Sequence, residues 1–333
     1  MMQRPLRKKA GVVTGKHQQG VAIITALLIV TLAATISITI STQLQLDIRR
    51  TGNLVATDQA HIYSLLSEKL LQLILQDEKK QEVFVEMLIN QGVVKQPFAI
   101  DNASIEAEVT DLSACININS LVDASGAINA ITQTRLAQLF SNNGISNNIT
   151  QAIADWIDPD LNVTIPNGAE DGYYMNLEKP YRTAQSPLYS ISELLLIRGM
   201  ENHEDNEDYK RVTELITGAT DQDSGLFSGP ALCAFNTDNN TPININTASV
   251  EVLKSLQPGI TETQIEDILQ QRTTDALTSV PSVFTTPDNL ATVSSYYLLK
   301  TRVLIGNANK VTYSIIYWDG TKTSTISRTQ RTL

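Results

Sequence analysis

The densest run of groups able to do chemistry is DWIDPDLNVTIPNGAEDGYY, residues 155 to 174. Asp158, Asp160 and Asn162 alternate in it, and Glu170 and Asp171 follow a Pro-Asn-Gly turn. Hard oxygen ligands at alternating positions suit calcium, which takes six to eight oxygens in a flexible geometry. The register is not that of an EF-hand, because counting Asp158 as one puts Gly168 at eleven and Glu170 at thirteen. The expected ligands are Asp158, Asp160, Glu170 and Asp171; the competing reading is a solvated acidic turn. Asp221 and Asp223 in TDQDSG form a second candidate pair that a flexible loop explains equally well, and ENHEDNED at 201 to 208 reads as a solvated connector.

Little else points to catalysis. There is no G-x-S-x-G, H-E-x-x-H or phosphate-binding glycine loop, and the three histidines, His17, His61 and His203, are scattered. No enzyme activity is expected.

The carboxylate run lies in an α-rich middle. Residues 119 to 284 lack alternating strands and read as helices: ITQTRLAQLFSNN, NITQAIADWID, ISELLLIRGM, ASVEVLKSL and ETQIEDILQQR. Two phrases recur, CININSL at 115 to 121 and PININTA at 242 to 248, each followed by a helix, a Gly-Ile turn (Gly144-Ile145, Gly259-Ile260) and a second helix. Asn117, Asn119, Asn244 and Asn246 read as cap and turn residues. The second copy resembles helix-hairpin-helix modules that bind DNA, but Glu262, Glu266 and Asp267 stand where phosphate-neutralising bases are needed, with only Arg272 beyond. No nucleic acid is expected as a partner.

Flanking segments carry strand patterns. Ile105, Ala107 and Val109 alternate with acidic or polar residues, and YYLLKTRVLIG, KVTYSIIYW and TKTSTISRT close the chain with turn-forming NANK and DGTK between them. Before the first strand, no proline appears between Val21 and Pro97, and Leu44, Ile48, Val55, Ile62, Leu65, Leu66, Leu70 and Ile74 recur at helical intervals. That stripe should lie on something. QDEKKQ ends the helix or joins it to a shorter one, EVFVEMLIN.

Val21 to Leu46 is 26 residues without a charge, long enough to span a bilayer. Arg4, Arg7, Lys8, Lys9 and Lys16 precede it with no acid among them, which holds the N-terminus in the cytoplasm and puts the body outside. The whole chain carries a net charge of −10; without those five cations, 20 basic residues face 35 acidic ones, a net of −15. Such a body repels nucleic acid and attracts cations. Cys115 and Cys233 both fall outside, where an oxidising compartment favours pairing them. A bond across so long a loop contributes on the order of 4 to 5 kcal/mol in the chain-entropy treatment. The alternative is two separately buried thiols.

The join QQG–VAIITALLIV resembles the leader of type IV prepilins, whose peptidase cuts after the glycine and leaves the apolar helix as the mature N-terminus. The resemblance implies cleavage between Gly20 and Val21; a plain membrane-flanking glycine is the alternative. Pilins and pseudopilins carry glutamate at the fifth mature position, where this chain has Thr25. A missing glutamate with an unusually large body resembles the K-type minor pseudopilins of type II secretion systems, and Trp156, Asp158, Asp160 and Gly168 to Asp171 match phrases of that family. One mismatch is Gln185 in YRTAQSPL, near which the family commonly has asparagine.

The resemblance implies an α+β, pilin-like fold: a long N-terminal helix on a small antiparallel sheet, with a large inserted α-helical domain. The expected parts are a leader (1–20), a membrane-spanning half of the helix (21–46), an amphipathic helix with the first part of the pilin-like domain (47–118), the inserted α-domain (119–284) and strands completing the sheet (285–333). It further implies calcium in the α-domain and a place at the tip of a secretion pseudopilus. The partners it implies are other minor pseudopilins, the major pseudopilin, the prepilin peptidase and the inner membrane, with Ile48, Val55, Ile62 and Leu66 as the partner-helix interface. The competing reading is a bitopic membrane protein with an external DNA- or protein-binding domain.

Overall fold

A computed structural model describes residues 19–201, 205–218, 229–237, 241–285 and 289–330. Residues 1–18 of the leader, His203, and the Asp221–Asp223 pair lie outside the described residues.

The chain divides into two compact units, Met1–Ala56 and Thr57–Leu333. In the first, the described residues are one continuous helix, the start of α1 (Gln19–Gln76), and every residue from Gly20 to Val55 is exposed. It is long and apolar enough to cross a membrane, with mean hydropathy 2.6 over its most apolar window. Its hydroxyls are absorbed by its own backbone: Thr31, Thr35, Ser37, Thr39 and Thr42 each donate to a carbonyl three or four residues back.

In the second unit the rest of α1 packs through Ala60, Ser64, Ser67, Glu68, Leu71 and Leu75, all buried. Most of the apolar stripe does not lie against the rest of the chain. Ile62, Leu66 and Leu70 are 60%, 46% and 46% exposed, and the face turned to the sheet is largely small and polar. The reason is hydrogen bonding. Ser64, Glu68, Gln72 and Gln76, one turn apart, bond Thr312, Ser314, Thr325 and Thr323 in the last two strands.

Asp77 caps α2 (Glu78–Gln91) by accepting from the Lys80 amide, and Gly92 at φ 64° ends it. Next come β1 (Val93–Ile100) and β2 (Ala103–Asp111). The inserted part opens with β3 (Ile116–Asn117) and a 3-10 turn at Ile118–Leu121. It continues through α3 (Ala130–Asn142), α4 (Ile149–Ile157), α5 (Asp171–Tyr174), a second 3-10 turn at Ile191–Leu196 and α6 (Glu207–Thr217). After β4 (Leu232–Cys233) and β5 (Ile243–Asn244) follow α7 (Val250–Leu256), α8 (Glu262–Thr274) and β6 (Leu290–Ala291). The chain then forms β7 (Tyr296–Ile305), β8 (Ala308–Trp318) and β9 (Thr323–Thr329).

The five long strands form one antiparallel sheet, β1-β2-β7-β8-β9. Everything between Asp111 and Tyr296 is therefore inserted between two adjacent strands. One apolar core joins α1, α2 and the sheet (Leu71, Leu75, Phe84, Leu88, Val109, Leu299, Ile316), and a larger one fills the inserted α-domain. A disulfide joins Cys115 to Cys233, with Cα atoms 5.9 Å apart, among Leu112, Phe235 and Ile315. It closes the α-domain at its junction with the sheet.

The recurring phrases fold alike. In each, the first asparagine (Asn117, Asn244) accepts from the amide of the second (Asn119, Asn246). The second then pairs its carboxamide with both the N–H and C=O of a distant residue, Leu188 in one copy and Leu277 in the other. Gly144 and Gly259 take φ +65° and +78° in the two turns, as the sharp reversal requires. Arg272 does not face outward: it is buried and donates to the carbonyls of Ile245 and Ala248. Lys254 pairs with Glu262 at 2.8 Å. Nothing there offers a phosphate a free cation among the described residues.

Candidate metal centre

Helix α4 is buried over nearly its whole length, and its last turns put Asp155 and Trp156 into the α-domain core. Trp156 packs edge-on against Tyr174 at 5.1 Å, which fixes the helix end against α5. The chain then leaves the helix at Asp158, runs without regular structure to a turn at residues 165–167, and returns through Gly168 to Glu170. This brings oxygens of Asp155, Asp158 and Glu170 within 4.8 Å of one another, all three residues buried. Ligands on opposite sides of a calcium ion, each about 2.4 Å from it, span that distance.

Neighbours orient the three. Asp155 accepts from the Thr164 amide at 3.0 Å, and the Thr164 carbonyl accepts from the Gly168 amide at 2.6 Å. Gly168 has no room for a side chain: a Cβ would lie 2.1 Å from Asp155 Oδ2 and 2.6 Å from the Thr164 carbonyl. Arg198 donates to the Gly168 carbonyl at 2.8 Å while its guanidinium lies over the Tyr173 ring. Thr183 Oγ1 reaches Glu170 Oε2 at 3.5 Å.

Two oxygens are left over. Asp158 Oδ1 and Glu170 Oε1 are buried with no hydrogen-bond partner. A buried carboxylate oxygen without a donor is costly, and a cation removes that cost. Without one, burial first and then the neighbouring acids push Asp158 up to about 6 and Glu170 up to about 7. The residues thus fit a hard divalent cation.

The expected ligand set is only partly brought together. Asp158 and Glu170 meet. Asp160 is exposed and accepts from the Asn162 amide at 2.6 Å, near enough to raise both carboxyls but outside the buried trio. Asp171 turns to the Thr183 amide and hydroxyl, 3.0 Å each, and lies 3.6 Å from Arg182. Asp155 takes their place. Its signal in the sequence was an acid inside the otherwise apolar run AIADWI, which a core tolerates only with a partner.

The remaining site residues are simply located. Gly20 and Val21 lie in the exposed first turns of α1. Thr25 donates to the carbonyls of Val21 and Ala22, both at 3.0 Å. Ile48 and Val55 are exposed, as are Ile62 and Leu66.

Family models described as "Type II secretion system (T2SS), protein K" match residues 114–217 and 243–299, the two parts of the α-domain that hold the repeat. A Pectobacterium carotovorum type II secretion system protein K is 27% identical over 327 residues, 94% of this chain and 96% of its own. The chain is thus similar to type II secretion system protein K over nearly its whole length. The Klebsiella pneumoniae member is likewise 27% identical, covering 94% of this chain and 96% of its own. That of Aeromonas hydrophila reaches 34% over 198 residues, 56% of this chain and 60% of its own. The same fold occurs in a chain of the crystal structure of the GspK-GspI-GspJ complex from enterotoxigenic Escherichia coli. The TM-score is 0.58 at 21% identity, covering 85% of this chain and all of that one. These matches support a minor-pseudopilin role in type II secretion.

Proposed function

We propose that the chain is the single-copy cap of a type II secretion pseudopilus, anchored in the inner membrane with its body in the periplasm. There it starts filament assembly for the export of folded proteins. The observation that carries this reading is Thr25. Its hydroxyl is satisfied within its own helix, so the fifth position after Gly20 offers nothing to the terminal amine of a neighbouring subunit. A carboxylate there would cost roughly 2.5 to 3.5 kcal/mol in hydrocarbon and persists only with such a partner. A subunit with no neighbour ahead of it has no use for it. The inserted α-domain adds a steric reason, because repeating it at the close spacing of filament subunits would produce clashes.

The prepilin peptidase would cut between Gly20 and Val21, and among the described residues nothing lies within 4 Å of a Cβ placed on Gly20. Ile48, Val55, Ile62 and Leu66 form the face offered to helices of the other minor pseudopilins and, below them, the major one. The carboxylate trio would hold calcium, which fixes the loop from Asp158 to Glu170 on the α-domain. Mass spectrometry of the chain from cells with active peptidase tests the anchor: the mature chain should begin at Val21 with its helix retained. A start beyond Ile40, or retention of the leader, would leave the competing bitopic reading.

A further inference from the structure

The return limb of the metal loop is tied to the start of α6 by a chain of polar contacts that begins at Gly168. That residue touches the centre and its surroundings at once. Asp155 Oδ2 lies where a side chain of Gly168 would be, and the Gly168 carbonyl accepts from Arg198 at 2.8 Å. Arg198 carries two further links to α5, which starts directly after Glu170. Its guanidinium lies 5.0 Å from the centre of the Tyr173 ring, and its backbone amide donates to the Tyr174 hydroxyl at 3.1 Å.

From there the contacts run on to α6. The Tyr173 hydroxyl donates to Glu201 Oε1, and Glu201 Oε2 accepts from the Gly199 amide at 2.8 Å. Asn206 donates through its carboxamide to the carbonyls of Gly199 and Glu201, 2.8 Å each. Its carboxamide oxygen accepts from the Tyr209 amide at 3.1 Å, which caps α6. The cap is therefore held by a segment that itself hangs from the metal loop and α5. Asp155, Asp158 and Glu170, with oxygens within 4.8 Å of one another, repel when charged unless a cation lies between them. Any shift of Glu170 moves Gly168 and α5, which flank it within two residues. A cation that draws the acids together fixes both points from which the segment hangs.

We propose that Arg198, Tyr173 and Glu201 couple the cation site to α6, so that calcium binding seats the helix cap at Asn206. The coupling rests on calcium occupying the carboxylate trio, and it extends the reach of the ion beyond its own loop. By linkage, a seated cap favours the ion in return.

The test is amide exchange of the full chain in detergent micelles, at saturating calcium and with chelator, beside a calorimetric titration with calcium. Calcium should slow exchange of the Tyr209 amide about fivefold, the size expected for securing a helix cap. Arg198→Met and Tyr173→Phe should each still bind calcium in the titration, while exchange at Tyr209 becomes indifferent to it. Either variant decides the matter if the other fails to fold or to bind. Asn206→Ala should leave that amide fast with calcium or without. Calcium binding to the unaltered chain with no change at Tyr209 would overturn the coupling and leave the metal centre standing. A calcium response that survives both substitutions would do the same. No heat of binding in the unaltered chain would overturn the metal centre and the coupling together.

Discussion

At the scale of single residues, the argument turns on the two orphaned oxygens of Asp158 and Glu170. Their carboxyls sit at about 6 and about 7 without a cation, above the ordinary carboxylate range near 4. Between those values the folded chain holds more protons than the unfolded one, so the cation-free protein loses stability as pH rises through the window. Calcium must displace those protons and therefore binds better as pH rises. Calcium should raise the melting temperature far more at pH 8 than at pH 5, by a stabilisation of roughly 3 kcal/mol at a hundredfold excess over Kd. Calorimetry with calcium and with chelator checks this, and a pH-independent shift would contradict it. Asp155→Asn should remove most of that gain, and Gly168→Ala should do the same, because its methyl group meets the Asp155 carboxylate. Asp158 and Glu170 were legible in the sequence because they flank a turn. Asp155 was not, since spacing along a loop says nothing about an acid carried in from a helix. Gln185 is a smaller case. It holds φ +46°, a region asparagine tolerates better, which gives the mismatch with the family a physical meaning. Gln185→Asn should stabilise the chain by about 0.5 to 1 kcal/mol, measurable by urea unfolding.

At the scale of elements, α1 meets the sheet through a polar row beside its apolar contacts. Glu68 is nearly buried, and Arg328 grips it with two bonds of 2.6 Å from β9, while Ser314 adds a third at 2.6 Å. Burial pushes the Glu68 carboxyl up, but the bonds from Arg328 and Ser314 outweigh it and hold it below its usual range. The pair therefore stabilises the fold at neutral pH and loses that contribution as pH falls through the lowered value. Arg328→Ala should cost roughly 2 to 3 kcal/mol, less than a wholly buried pair because the arginine is partly exposed. It should also weaken the local pH dependence, since only the bonds from Ser314 and Thr325 then oppose the effect of burial on Glu68; pH-resolved unfolding of the variant tests both. Helical spacing revealed α1 but not which face turned inward, because the polar row matters only once its threonine and serine partners are folded beside it. Strand β1 escaped notice for a local reason: Pro97 argues against a central strand, and the structure puts β1 at the sheet edge, where proline is tolerated. The stretch ISELLLIRGM read as a helix but forms only a 3-10 turn at Ile191–Leu196, and α6 begins in the last two residues of what read as a solvated connector. By contrast, both Asn-x-Asn phrases and their Gly-Ile turns were legible, because caps and left-handed turns are local chemistry.

At the scale of the whole molecule, the order of helix, split sheet and insertion was readable from where strand alternation stopped and resumed. The Cys115–Cys233 pairing agrees with the compartment argument. Reducing it should lower stability by about 4 kcal/mol and loosen the α-domain at its base, seen as faster amide exchange in β3 and β4. The central claim is that one copy of this chain caps a filament. It is tested most directly by counting that copy in pseudopili sheared from secreting cells, using isotope-labelled peptides of this chain and of the major pseudopilin. The expected result is a ratio that falls in proportion as filaments are grown longer, with this chain staying at one per filament. A ratio that stays constant as filaments lengthen would mean that the chain is built in along the shaft, and would contradict the claim.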